Sequence, residues 1–233
     1  MKFKALVIDI DGTITYKNRR LNLKVAEMLY KLNTDSGIPV VLATGNILCF
    51  SQAASKLLGL NGYVIAENGG MVSKGFDTIP YILSNIKECE NAFDFLSKHL
   101  QLTKLDPEYR KTEIALRRDF NLEYARQLVA GKYHVDLIDT GYAVHIKNNT
   151  MNKGTGLIKI SELMGLKPKD FVAIGDSEND LEMIDYSGLG IVVANGDQKT
   201  KSIADIVTEA TYGDGVVEAL EYLNSSGWEI SQL

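Results

Sequence analysis

Two aspartates, Asp9 and Asp11, stand two residues apart in the N-terminal stretch ALVIDIDGTIT. The four residues before Asp9 are all apolar, which is typical of a strand buried on both faces of a parallel sheet. Two like charges at the end of such a strand are costly unless a positive charge lies beside them. Because Asp and Gly are also common in turns, a solvated acidic turn is the alternative interpretation.

Polar residues also follow other apolar runs, and one lysine opens a helical pattern. They are Thr44, Gly45, Asn46, Glu67, Asn68, Lys153, Asp176, Asn179 and Asp180. Ligands bind beyond the carboxyl ends of the strands in an open α/β sheet, so these side chains are expected along one edge. A lysine in the first turn of a helix opposes the helix dipole, and a bound anion near Lys153 would offset that. Thr44 is expected at a helix N-terminus, which binds phosphate oxygens.

Four aspartates at one sheet edge cannot cluster without a compensating charge. Asp9, Asp11, Asp176 and Asp180 offer hard oxygen ligands, and a site with few protein ligands plus waters suits Mg²⁺. A metal ion together with Lys153 makes a site for phosphate. The sequence therefore predicts a small phosphorylated metabolite as ligand and Mg²⁺ as cofactor.

This arrangement predicts phosphoryl-transfer chemistry. A carboxylate can act as a nucleophile and form an aspartyl-phosphate, and Asp9 at the strand end is the candidate. Asp11 lies on the same side of the strand, where it can protonate the leaving alkoxide and then activate water. Gly12 permits the turn that brings both carboxylates to one place. Charge neutralisation by Mg²⁺ and Lys153 would let the anionic nucleophile approach phosphorus.

Short apolar runs alternate with helical patterns over most of the chain. Strands are predicted at 38–44, 62–68, 171–176, 189–195 and 204–210. The segments between them repeat apolar residues with helical spacing, and two of them end near a glycine. Alternating strands and helices predict an α/β domain with a mainly parallel sheet.

The middle of the chain has a different pattern. KTEIALRRDF alternates apolar and charged residues, and YHVDLIDTGYAVHIKN is typical of two strands around a turn. Such alternation predicts a half-exposed antiparallel sheet, here accompanied by two helical patterns. We therefore expect residues 82–150 to form a small α+β unit inserted into a core made of residues 1–81 and 151–233.

The motifs DIDGT, LATGN, the lysine of NKG, and GDSEND resemble, in order, the four motifs of the haloacid dehalogenase superfamily of Mg²⁺-dependent phosphatases. The inserted unit resembles the C2-type cap of its Cof-like branch. Within that branch, LATGN, ENGG, GYAVHI and TYGDGV are similar to archaeal-type phosphoglycolate phosphatases. The resemblance implies a Rossmann-like core with a cap that selects the substrate, and hydrolysis of a small phosphate monoester, with 2-phosphoglycolate favoured.

The resemblance also implies roles for single residues. Asp9 would be nucleophile and metal ligand, and Asp11 would be the acid and base, with its backbone carbonyl on the metal. The implied phosphate-binding residues are Thr44, Gly45 and Lys153, and the implied metal ligands are Asp9, Asp11, Asp176 and Asp180. Whether Asn179 or Asp180 is the nearer ligand stays open. Many members carry arginine where this chain has Asn46, so that residue's role does not carry over.

Alternatives remain at this point. A sugar-phosphate phosphatase of the same superfamily is the second candidate, and a non-catalytic phospho-ligand binding or receiver-type protein is a third from another class. The cap residues that contact substrate are not fixed; the candidates are Arg117, Arg118, Tyr142 and His145. The oligomeric state is also open, with a homodimer as one alternative.

Bulk properties exclude some classes of partner. The net charge of −5 over 233 residues argues against a general nucleic-acid binder. No apolar segment is long enough for a membrane span, and the N-terminus lacks the pattern of a signal peptide. Cys49 and Cys89 form no metal-ligand or redox spacing, so two buried thiols in a reducing cytoplasm are expected.

Overall fold

The computed structural model describes residues 2–229. The strands are β1 (Ala5–Asp9), β2 (Val40–Ala43), β3 (Tyr63–Ala66), β4 (Met71–Lys74), β5 (Tyr81–Ile82), β6 (Lys104–Leu105), β7 (Glu113–Leu116), β8 (Val135–Asp139), β9 (Val144–Asn148), β10 (Phe171–Gly175), β11 (Leu189–Val192) and β12 (Ile206–Val207). The helices are α1 (Leu23–Thr34), α2 (Leu48–Leu57), α3 (Lys87–Leu96), α4 (Leu122–Val129), α5 (Lys153–Met164), α6 (Leu181–Tyr186), α7 (Gln198–Lys201) and α8 (Tyr212–Ser225).

The larger sheet has eight strands in the order β12-β11-β10-β1-β2-β3-β4-β5. The six strands from β12 to β3 run parallel, whereas β4 and β5 extend the edge as antiparallel neighbours. Strand β1 lies between β10 and β2. The C-terminal ends of these three strands therefore form one continuous edge, as the sequence predicts.

Helices cover both faces of this sheet. Alternate residues of β1 point to opposite cores, with Leu6 and Ile8 in one and Ala5 and Val7 in the other. Helices α1, α2 and α8 pack on the first face, and α5 and α6 pack on the second. Because both faces are buried, the strand is apolar at every position before its terminal aspartate. The predicted α/β fold class is confirmed.

The smaller sheet is antiparallel, with the order β6-β7-β9-β8, and α3 and α4 pack on one of its faces. The sequence predicts a half-exposed sheet, but the part of the other face that meets the core is buried. Glu113, His145 and Lys147 lie on that face and are all buried. Glu113 and His145 are covered by groups of the core, since Glu113 bonds to Asn68 and His145 lies against Gly45.

Some sequence expectations differ from the structure in detail. The larger sheet continues through Ile82, one residue into the range predicted for the inserted unit. The predicted core range also includes Met1 and residues 230–233, which lie outside the described residues. Cys89 is buried, but Cys49 is exposed on α2, contrary to the prediction of two buried thiols. None of the helices between residues 2 and 229 has the length and apolar character needed to cross a membrane.

Candidate active site

Three carboxylates meet at the C-terminal edge of the larger sheet. Asp9 is the last residue of β1, and Asp176 directly follows the neighbouring strand β10. One oxygen from each of Asp9, Asp176 and Asp180 can be chosen so that all three lie within 4.8 Å of one another. The parallel order of the strands thus brings together residues that are about 170 positions apart in sequence.

The turn after β1 allows this close approach. Gly12 has φ +92°, a conformation that favours glycine, and a Cβ atom there would lie 2.4 Å from Oδ2 of Asp176. The same turn carries Asp11, whose Oδ2 accepts a hydrogen bond of 2.6 Å from Nδ2 of Asn46. Gly12 is therefore needed both for the turn and for the room that Asp176 occupies.

Lys153 is the first residue of α5 and is completely buried. Its Nζ lies 2.5 Å from Oδ1 of Asp9 and 2.6 Å from Oδ1 of Asp180. A capping box between Asn152 and Thr155 fixes the start of this helix. Burial opposes the charge of Lys153, but the two carboxylates outweigh it and hold its pKa above the ordinary lysine value. The lysine is thus a fixed positive charge beside Asp9.

The environment of Asp9 and Asp176 fits a hard cation. Burial raises the pKa of Asp9 to about 7 against the pull of Lys153, and burial with the nearby Asp9 charge raises the pKa of Asp176. Oδ2 of Asp9 is buried and has no hydrogen-bond partner among residues 2–229. An orphaned carboxylate oxygen inside an acidic cluster fits a divalent cation, which would satisfy the oxygen and offset the repulsion.

Asp180 and Asn179 have different surroundings. Oδ1 of Asp180 faces Lys153, and its Oδ2 accepts hydrogen bonds from the backbone amides of Asp176 and Ser177. Asn179 donates from Nδ2 to Asn68, and its Oδ1 accepts from the hydroxyl of Ser177. Of the two alternatives, Asp180 lies in the acidic cluster, where it also positions Lys153 and the loop after β10.

Thr44, Gly45 and Asn46 follow β2 and line the same cavity as Asp9. The prediction that Thr44 lies at a helix N-terminus is wrong, because α2 begins only at Leu48 after the N-cap residue Ile47. Oγ1 of Thr44 instead accepts hydrogen bonds from the backbone and side-chain nitrogens of Asn46. The hydroxyl closes a local turn of the kind that competes with helix capping.

The cavity above Asp9 has a volume of about 130 Å³, and the inserted unit forms its roof. Tyr142 and His145 line it, as does Arg110, which the sequence did not single out. Arg117 and Arg118 are exposed and lie outside the lining, and Arg118 pairs with Asp139. The structure thus brings two of the four candidate cap residues to the site.

Asn195 is another residue that sequence reasoning missed. Its Nδ2 donates to the backbone carbonyl of Gly12 at 2.9 Å and to Oδ2 of Asp176 at 3.3 Å. It holds the turn after β1 against the loop after β10. The sequence contained an indication of this role, because Asn195 is the last residue of the predicted strand 189–195 and so falls at the same sheet edge as the aspartates.

Comparison with known proteins decides the family. A family model described as haloacid dehalogenase-like hydrolase matches residues 6–108 and 137–220. The chain belongs to this family. Both matched ranges of this haloacid dehalogenase-like hydrolase carry the clustered side chains, with Asp9 and Thr44 in the first and Lys153 and Asp176 in the second. The resemblance inferred from the four motifs is confirmed.

Similar proteins cover nearly the whole chain. A phosphoglycolate phosphatase of Methanosarcina acetivorans is 59% identical over 229 residues, which are 98% of this chain and 100% of the relative. A phosphoglycolate phosphatase of Archaeoglobus fulgidus is 45% identical over 222 residues, 95% of this chain and 97% of that protein. A crystal structure from Thermoplasma acidophilum has a TM-score of 0.87 at 23% identity and covers 96% of this chain and 99% of its own. The structure of a haloacid dehalogenase-like hydrolase from Bacteroides thetaiotaomicron has a TM-score of 0.78 at 21% identity. It covers 95% of this chain and 100% of its own. These structures share the fold.

Proposed function

We propose that the chain is a Mg²⁺-dependent phosphatase that hydrolyses a small phosphate monoester, 2-phosphoglycolate, through an aspartyl-phosphate on Asp9. The observation that carries the proposal is the state of Asp9. One of its oxygens faces the buried Lys153, the other is buried without a partner, and the residue belongs to the acidic cluster with Asp176 and Asp180. The full-length similarity to proteins named phosphoglycolate phosphatase supports this choice of substrate.

The first step joins Asp9 to phosphorus. The Asp9 carboxylate attacks, the bond between phosphorus and the ester oxygen breaks, and Asp11 gives its proton to the departing alkoxide. Lys153 and Thr44 bind oxygens of the phosphoryl group during this transfer. Asp9, Asp176 and Asp180 would hold Mg²⁺ together with the backbone carbonyl of Asp11, and the ion would supply positive charge to offset that of the phosphoryl oxygens.

The second step removes the phosphoryl group. Asp11, now ionised, takes a proton from water, whose oxygen attacks phosphorus and displaces the Asp9 carboxylate. Asn46, which donates to Asp11, keeps this carboxylate turned toward the cavity. Inorganic phosphate leaves and both aspartates return to their starting states.

We assign the inserted unit, residues 83–150, the role of a cap that selects the substrate. It supplies the roof of the cavity, and a volume of about 130 Å³ lies well below the roughly 300–1,000 Å³ of sites for drug-sized ligands. A two-carbon ester suits this space better than a hexose phosphate does.

A substrate panel tests the proposal. Phosphate release is measured from 2-phosphoglycolate, ethyl phosphate, glucose 6-phosphate and 4-nitrophenyl phosphate, with Mg²⁺ and after metal removal by a chelator. The expected result is the highest kcat/KM for 2-phosphoglycolate, loss of turnover on chelation and recovery with added Mg²⁺. A preference for glucose 6-phosphate would contradict the substrate assignment. If no phosphate is released from any of the esters, the phosphatase proposal is wrong and the non-catalytic binding protein is the remaining alternative.

A further inference from the structure

Two buried basic side chains of the cap face the cavity opposite the phosphoryl-binding residues. Arg110 and His145 both line the space that Asp9 and Asp11 line from below, and their side chains are only 6% and 4% exposed. Arg110 lies in the stretch 109–136, between the two ranges that match the family model. His145 lies within the second matched range, on β9 of the cap. Neither residue belongs to the four motifs shared with the family.

Glu113 holds both side chains in place. Its Oε1 accepts a hydrogen bond from Nη1 of Arg110 and lies 2.7 Å from Nδ1 of His145, while its Oε2 accepts from Nδ2 of Asn68 at 2.8 Å. Burial opposes the ionisation of Glu113, but His145, Arg110 and Asn68 outweigh it, so the pKa of this carboxyl lies below its usual range. Glu113 is thus a buried carboxylate that orients two neighbouring donors.

Both side chains keep bonding capacity that the protein does not use. The hydrogen bonds that Arg110 makes within residues 2–229 come from Nη1 alone, to Glu113 and to the backbone carbonyl of Gly45, and its Nε is buried without a partner. With Nδ1 of His145 turned to Glu113, Nε2 has no partner in the described part of the chain. In its imidazolium form the ring offers Nε2–H to an anion.

The position of this pair depends on contact between cap and core. Nη1 of Arg110 donates to the carbonyl oxygen of Gly45 at 3.0 Å. A Cβ atom at Gly45 would lie 3.3 Å from Cε1 of His145. The pair therefore lies directly over the residues that follow β2, within reach of a ligand that also touches Thr44.

We propose that Arg110 and His145 form the subsite for the carboxylate of the substrate and that Glu113 is the positioning residue for both. The inference rests on the proposed function. A two-carbon phosphorylated acid is anionic at both ends. The cavity of about 130 Å³ has Arg110 and His145 in its roof. At its floor, Asp9 lies against the buried Lys153, the pair that the proposed function assigns to the phosphoryl end. Charge-assisted hydrogen bonds to the carboxylate would make the enzyme prefer this substrate to phosphate esters of equal length whose other end is uncharged.

The test compares 2-phosphoglycolate with ethyl phosphate, in which a methyl group replaces the carboxylate. His145→Asn keeps an amide donor for Glu113 but deletes Nε2, whereas His145→Gln places an amide near the Nε2 position. Arg110→Lys keeps the positive charge but removes the paired N–H donors of the guanidinium group. We expect Arg110→Lys and His145→Asn each to lower the ratio of the two kcat/KM values about tenfold or more. We expect the lower ratio to come mainly from a higher KM for 2-phosphoglycolate, and we expect His145→Gln to restore part of the wild-type ratio.

Arg118→Lys is the matched control, because Arg118 is an exposed cap arginine that pairs with Asp139 outside the cavity. It should leave the ratio unchanged. Thermal melts establish that each variant is folded, and if Arg110→Lys does not fold, the two His145 variants still decide the matter. Unchanged ratios in folded variants of an enzyme that hydrolyses 2-phosphoglycolate would overturn the subsite and leave the proposed function standing.

A binding measurement tests the carboxylate subsite independently of the proposed phosphatase activity. Titration calorimetry with the Asp9→Asn protein in Mg²⁺ compares the Kd of 2-phosphoglycolate with that of ethyl phosphate. The subsite predicts tighter binding of 2-phosphoglycolate, and loss of the difference when His145→Asn is added. Equal affinities would overturn the subsite. If the difference is present but the wild-type protein releases no phosphate, the subsite stands and the phosphatase assignment falls.

Discussion

At Gly12, the addition of a single methyl group should disturb the acidic cluster. A Cβ atom there would lie 2.4 Å from Oδ2 of Asp176, in addition to the strain of φ +92°. We expect Gly12→Ala to raise the Mg²⁺ concentration needed for half-maximal activity, and to lose about 1–2 kcal/mol of stability from the backbone alone. Kinetic titration with Mg²⁺ and denaturant unfolding measure the two effects.

Gly141 provides the control for this substitution. It has φ +79° and nothing within 4 Å of an added Cβ atom, so Gly141→Ala carries the backbone strain without the collision. Its Mg²⁺ dependence should match that of the wild-type protein. An equal shift of the Mg²⁺ midpoint in both variants would show that the contact with Asp176 does not control the metal site.

At the level of elements, the turn after β3 joins the core to the cap. Glu67 and Asn68 adopt left-handed conformations with φ +48° and +51°. The buried carboxylate of Glu67 accepts hydrogen bonds from the backbone amides of Lys111 and Thr112 at 3.0 and 2.8 Å, and from the hydroxyl of Thr112 at 2.7 Å. The turn thereby fixes the segment that leads into β7 and carries Arg110.

Removing this carboxylate should weaken the whole fold. Glu67→Ala leaves the buried amide and hydroxyl of Thr112 without their acceptor, and we expect a loss of about 2 kcal/mol or more in the free energy of unfolding. Urea unfolding measures it. Glu123→Ala, on the exposed side of α4, is the control and should change stability by no more than about 0.5 kcal/mol. A Glu67→Ala protein as stable as this control would refute the role of the turn.

The elements that the sequence predicted best are those with unambiguous local patterns. The apolar runs ending at Asp9 and near Asp176 are strands in the structure, and parallel pairing explains why their terminal carboxylates converge. Thr44 was misplaced because its hydroxyl closes a local turn with Asn46, a choice that composition does not reveal. The roof of the cavity was missed for a different reason. Glu113 alternates with apolar neighbours as an exposed residue would, and contacts that the local pattern does not show, with Arg110, His145 and Asn68, bury it.

For the molecule as a whole, the acidic cluster links stability to pH. Burial raises the pKa of Asp9 from 3.8 to about 7, so between these values the folded state binds more protons than the unfolded state. The metal-free protein should therefore lose stability as pH rises through this window. Added Mg²⁺ favours the ionised carboxylate and should raise Tm most at the upper end. Thermal melts of chelated and Mg²⁺-loaded protein from about pH 4 to about pH 8 measure the effect.

Asp9→Asn tests whether this carboxyl causes the pH dependence. The variant keeps the shape of the side chain but does not titrate, so its chelated form should lose less Tm than the wild-type protein over the same pH range. Asp176 titrates in both proteins, but its pKa is raised less in the variant because the neighbouring Asp9 charge is absent, which reduces the loss of Tm further. Parallel Tm curves for the two proteins would exclude Asp9 as the source of the pH dependence.

Covalent catalysis by Asp9 is tested most directly by trapping the phosphoenzyme in the Asp11→Asn variant. This variant keeps the nucleophile but lacks the base for the second step, and 4-nitrophenyl phosphate needs little protonation of its leaving group. After reaction in Mg²⁺, acid quench and borohydride reduction, peptide mass spectrometry should find the modification on Asp9. The signal should vanish with chelator and in the Asp9→Asn/Asp11→Asn double variant. A phosphoryl group on another residue, or normal turnover by Asp11→Asn without any phosphoenzyme, would contradict the mechanism.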